Sequence, residues 1–288
     1  MTNTDGLRRC HPGLLAAAVI VLVGGLGPAQ AAPADNDLVS LAPHRAVYDL
    51  KLAKAQGKRS IEAVRGRILY DFSGSACEGY ALQFRQVSEL DTGEGKVAVS
   101  DLRAATWEDG KAGGLRFNSQ NFLDSQLSES VDGRAERHPE DVAVTLAKPQ
   151  EKSFKIDSAV VFPTEHVRRA ITAARAGKSI LEFQVYDGSD NGEKIYNSLT
   201  VIGQAIPPEK QPNDVAAKAS SLAGLTRWPV TISYFDKVSS TGEQTPVYAI
   251  TFELYENGVS RNLLLDYGDF SVSGELTQID FKDAKPCR

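Results

Sequence analysis

The chain has 288 residues, 42% apolar and 24% charged side chains, and a formal charge of −5. That apolar content can build a core, which excludes a disordered chain, and three cysteines are too few for a disulfide-dense scaffold of this length. The net negative charge disfavours a general nucleic-acid binder.

The first element in chain order is an export signal over residues 1–31. Arg8 and Arg9 form a short basic start, Leu14 to Leu26 is an uncharged apolar run, and Ala29-Gln30-Ala31 fits small-x-small cleavage. The run is too short for a comfortable transmembrane helix, which needs about 20 apolar residues. Removing residues 1–31 leaves 288 − 31 = 257 residues, takes away Asp5, Arg8, Arg9 and Cys10, and moves the charge from −5 to −6. Two cysteines remain, Cys77 and Cys287, and in an oxidising compartment they are expected to pair. No second apolar run of membrane-spanning length follows, so residues 32–288 read as one exported domain without a membrane span.

That domain reads as antiparallel β. Ala46 to Leu52 alternates with Tyr48, Leu50 and Leu52 on one face; Tyr80, Leu82, Phe84 and Gln86 do the same, and Val97 and Val99 lead into Leu102 and Trp107. Further strands are predicted over 180–186, 195–202, 230–235, 248–255, 263–267 and 270–281, for twelve to fifteen in all. Asn257-Gly258 is the strongest hairpin signal; Asp109-Gly110 and Asp132-Gly133 read as similar turns, and residues 92–95 and 241–242 as looser loops. So long a sheet must curl or close, which gives a mainly β fold wound into a spiral or open barrel. Two segments break the pattern. A helix is predicted over about 164–176, capped by Thr164, with Val167, Ile171 and Ala174 on one face and Gly177 just past its end. Residues 207–225 read equally well as a mobile loop or as a short helix over 213–222.

No catalytic constellation stands out. Gly177-Lys178-Ser179 lacks the first glycine of a phosphate loop and follows a helix instead of preceding one, so helix termination explains it. Asp187 to Gly192 resembles half of a calcium loop, but Ser198 stands where a bidentate Glu is needed, and an Asx-rich hairpin turn is the better reading. His44, His138 and His166 form no metal-binding spacing. Glu165-His166 beside Arg168 and Arg169 reads as a solvated helix face. The aromatic residues Tyr48, Phe84, Trp107, Trp228 and Tyr248 either fill a core or line a groove able to hold an acyl chain or a peptide; periodicity does not separate the two. No cofactor is expected.

Several stretches resemble the envelope-integrity protein B (EipB) family of exported proteins from Gram-negative bacteria. They include residues 43–50, Cys77-Glu78-Gly79-Tyr80, Thr106-Trp107-Glu108, Phe162-Pro163-Thr164-Glu165-His166, Tyr186-Asp187-Gly188, Trp228-Pro229-Val230, Tyr255-Glu256-Asn257-Gly258 and residues 265–270. The resemblance implies a periplasmic, non-enzymatic protein that maintains the cell envelope, with a disulfide at Cys77 and Cys287. It also implies partners among other envelope proteins, including helical-repeat adaptors. From the residues themselves, the alternative is a carrier with an apolar ligand in the concave face of the sheet.

Overall fold

Fourteen strands pair with their neighbours into one antiparallel sheet. The computed structural model describes residues 39–55, 61–93, 95, 97–236 and 245–283. The strands are β1 (His44–Ala55), β2 (Ala63–Ser75), β3 (Gly79–Asp91), β4 (Val97–Glu108), β5 (Gly114–Leu123), β6 (Gln126–Arg137), β7 (Asp141–Lys148) and β8 (Lys152–Asp157). Helix α1 (Pro163–Arg175) follows, then β9 (Ile180–Val185), β10 (Tyr196–Ile202), β11 (Arg227–Asp236), β12 (Tyr248–Tyr255), β13 (Ser260–Asp266) and β14 (Phe270–Phe281). The spatial order runs β8 to β1, then β14 to β9, because β1 pairs with both β2 and β14. The first and last strands of the chain therefore meet in the middle of the sheet, leaving β8 and β9 as its edges. Those edges are drawn together where Val161, just after β8, bridges Val185 of β9. The sheet is thus curled, as its length requires.

Alternation decides which face is inside. In β1, His44, Ala46, Tyr48 and Leu50 are buried and alternate with more exposed residues; in β11, Trp228, Val230 and Ile232 do the same. These faces, with those of β2, β12, β13 and β14, enclose the larger core. Helix α1 lies against it and buries His166, Ala170, Ile171, Ala173 and Ala174. A smaller core forms between the inner face of β5–β7 and the chain on either side of α1 and β9, with Phe117, Val142, Val144, Phe162 and Tyr186 at its centre.

The structure corrects several sequence readings. Asp132-Gly133 is not a hairpin turn: both residues lie inside β6, at a register shift against β7. Gly133 is needed there because a Cβ would stand 2.6 Å from the Phe117 ring. Thr164 does not cap α1; the amides of its first turn are taken by a side chain from another strand, described below. Gly177 does end the helix, with φ +71, and the amides of Gly177 and Lys178 close back on Ala174 and Ala173. The turn predicted at residues 241–242 lies outside the described residues. Residues 207–225 hold a single 3-10 turn at Ala216–Lys218. The Asp214 carboxylate pins this segment by accepting two hydrogen bonds from the buried Arg261, at 2.8 Å each.

Candidate functional site

The larger core is not completely filled. It holds a cavity of about 260 Å³ between β2, α1, the end of β9, β11 and β12. Phe72, Leu82, Val167, Ile232, Ile250 and Phe252 supply most of its wall. Into this apolar wall the fold also sets His44, Tyr70, His166, Asp187 and Tyr234.

Each polar group arrives from a different element, and burial dominates its chemistry. His44 begins β1; its Nδ1 donates to the Ala42 carbonyl at 2.7 Å and its ring stacks on Tyr70 at 5.5 Å. A carbonyl only accepts, so the neutral ring carries its proton on Nδ1 and presents Nε2 as an acceptor. Burial lowers its pKa, outweighing that hydrogen bond. His166 stands on the first turns of α1, with Nε2 2.8 Å from Thr200 Oγ1 on β10 and its ring edge-on to Phe183 at 5.3 Å. Burial, helped by the nearby Arg169, lowers its pKa to about 4, so it is neutral at physiological pH. This corrects the reading of Glu165-His166 as a solvated helix face: His166 is 2% exposed.

Glu108, at the end of β4, is buried behind this wall. Its two oxygens accept from the amides of Thr164 and Glu165 at 2.7 Å each. A carboxylate from the sheet thereby satisfies two of the unpaired donors at the helix start and locks α1 to β4. Burial still outweighs those bonds and raises its pKa to about 7. Asp187 follows β9 and accepts one bond from the Ser189 amide at 2.9 Å. Burial raises its pKa as well. The hydroxyls of Tyr70 and Tyr234 have no hydrogen-bond partner among the described residues, and burial pushes both well above the ordinary tyrosine value.

None of the aromatic residues picked from the sequence lines this cavity. Tyr48 is buried, with its hydroxyl donating to the Ser260 carbonyl at 2.8 Å and its pKa raised to about 12 by burial. Trp228 is core, and Phe84 packs on its margin. Tyr248 belongs to a row of rings with Tyr234, Tyr267 and Phe270. Trp107 is on the other face of the sheet, because its neighbour Glu108 points inward. It lies under the Arg116 guanidinium and over Gly79, where a Cβ would meet it at 2.7 Å. The cavity's own residues were missed, although Ile232 and Tyr234 follow Trp228 at period two and His44 precedes Tyr48 at the same period. Among the described residues no group of three His, Cys, Asp or Glu is placed to hold a metal ion. No helix among them is long and apolar enough to cross a membrane.

A curled antiparallel sheet with an inner helix and a small interior cavity defines a β-barrel-like class of protein. The chain belongs to the EipB-like family, which it matches over residues 35–283. It is 38% identical over 269 residues to the cell envelope integrity protein EipB of Brucella abortus (strain 2308), covering 93% of this chain and 92% of that protein. It also resembles a crystal structure from Brucella abortus, a β-barrel-like protein of a domain of unknown function. The TM-score is 0.78 and the identity 36%, over 85% of this chain and 100% of that one.

Proposed function

We propose that this protein maintains the integrity of the cell envelope as a non-enzymatic periplasmic scaffold or adaptor, exported by residues 1–31 and acting through contacts with other envelope proteins. The observation that carries this reading is the family match, which spans nearly the whole chain and includes a relative named for envelope integrity. Deleting the gene should sensitise cells to detergent and to cell-wall antibiotics. Normal growth of the deletion strain under both stresses would sink the idea.

The same reading pairs Cys77 with Cys287. Cys77 is disulfide-bonded in the turn between β2 and β3, while Cys287 lies outside the described residues. Chain reach favours the pairing. Phe281 and Phe72 both pair with His44, so β14 ends about 10 Å from β2. The residues from 281 to 287 can span about 20 Å. The bridge would close 287 − 77 + 1 = 211 residues. Loop entropy for that length gives up to about 5 kcal/mol of stability, lost on reduction. Equal melting temperatures with and without reductant would refute the pairing.

A second reading, a carrier, is favoured by the cavity. At roughly 30 Å³ per methylene-sized group, 260 Å³ holds about nine such groups. That is too small for a full-length membrane acyl chain, so the cargo in this reading is a small molecule.

A further inference from the structure

Asp187 is the least explained group in the molecule. It is deeply enclosed, yet it keeps accessible surface because it lines the cavity. Among the described residues it has no cationic partner, and its hydrogen bonding to other residues is local, to Ser189, whose amide donates at 2.9 Å. Burial raises its pKa, so its charged form is favoured only when a cation pairs with it. The other polar groups on the wall do not supply a cation. His44 and His166 are neutral at physiological pH, and no Lys or Arg is among the described residues that line the cavity. Tyr234 lines the same cavity as Asp187, and among the described residues its hydroxyl has no hydrogen-bond partner.

These groups describe one half of a complementary pair. We propose that the cavity binds a small organic cation of about nine non-hydrogen atoms, an apolar body carrying one amine, with the ammonium on Asp187 and the Tyr234 hydroxyl. The apolar body meets Phe72, Ile232, Ile250 and Phe252. An anionic ligand would face Asp187 without a compensating base, and a neutral hydrocarbon would leave Asp187 and Tyr234 as they are. The chain's charge of −5 also favours a cation over an anion.

The proposal rests on the carrier reading, and its test separates the two. Phenethylamine, ethylbenzene and octanoate are titrated into the purified chain at pH 7.5, with binding followed by calorimetry. Phenethylamine should bind about tenfold tighter than ethylbenzene, the effect of one buried charge-assisted hydrogen bond. Asp187→Asn should abolish that preference while leaving ethylbenzene unchanged, and Tyr234→Phe should weaken the amine about threefold. Equal binding of amine and hydrocarbon, or an Asp187→Asn variant that keeps the preference, overturns the amine assignment and leaves the carrier reading standing. Tightest binding by octanoate overturns it in favour of an acid. Failure of all three probes to bind overturns both readings. If Asp187→Asn does not fold, the three probes on the unaltered chain and on Tyr234→Phe decide the matter.

Discussion

Around Tyr186 the inner face of β5–β7 is packed solid, whereas around Tyr234 the same sheet surrounds a cavity. In the first region the covering layer is backbone. Residues 186–192 press onto the strands, with Tyr186 edge-on to Phe117 at 5.9 Å and its hydroxyl donating to the Gly192 carbonyl at 2.7 Å. So close an approach needs glycine: Gly188 has φ +73, and a Cβ there would stand 2.4 Å from the Phe117 ring. In the second region the covering layer is helix α1, whose greater thickness holds the facing strands apart. Side chains reach across that gap without filling it, and the titratable groups His44, His166 and Asp187 are on its wall. A backbone cover leaves no room for a ligand; a helical cover leaves a space and brings ionisable groups to it.

The largest test of this contrast is Tyr186→Ala. Emptying the tight core should cost about 3–5 kcal/mol in denaturant unfolding. A loss below 1 kcal/mol would mean that this core is no better packed than the cavity region.

Next comes pH, which should act through the titratable groups buried in and behind the cavity wall. His166 has a folded pKa of about 4 against an ordinary 6.5, so the unfolded chain binds the proton first. Its contribution is complete above pH 6.5 and is lost as the pH falls to 4, by about 3 kcal/mol. Glu108 runs the other way. Its folded pKa of about 7 lies above the ordinary 4.5, so its favourable contribution is complete below pH 4.5 and is lost as the pH rises to 7. Because the two oppose each other, each is read from the difference between the unaltered chain and one variant. His166→Gln should reduce the acid-side decline, to which His44 also contributes, and Glu108→Gln the neutral-side decline, to which Asp187 also contributes. Unfolding profiles parallel to the unaltered chain would contradict the assignment.

Smaller effects separate the regions by tolerance to added volume. Gly188→Ala adds one methyl group to the tight region and should cost about 2 kcal/mol, from its left-handed backbone and the clash with Phe117. Ile232→Phe adds more volume but points it into the cavity, so stability should change by less than about 1 kcal/mol. Equal costs in a thermal or denaturant assay would erase the distinction.

Much of this fold could be read from residues alone, for local reasons. Tyr248–Tyr255 and Phe270–Phe281 are strands with the ends that alternation predicts, and Asn257-Gly258 turns the chain between β12 and β13, with Gly258 at φ +88. Strand β6 was harder to read. In QLSESVDGRAER only Val131 and Ala135 are buried, so its polar composition hides the alternation. Asp132-Gly133 misled because glycine marks a turn and a close approach equally well, and only Phe117, remote in sequence, tells which applies. The cavity wall was half legible. Period two places Ile232 and Tyr234 on the inner face with Trp228, but it does not say what stands opposite.

The sequence by itself determined the mainly β class, a helix over about 164–176 and the inward faces of β1 and β3. Each follows from the conformational preferences and spacing of residues that are neighbours along the chain. The tertiary structure alone decided that Glu108 caps a helix 56 residues away and that β1 pairs with β14. It also decided that α1 lies under β10 and that Asp187 faces a space with no cation. Those outcomes depend on which distant surfaces meet when the sheet curls. Burial then sets the charge of His166 and Glu108, a quantity that no stretch of sequence carries.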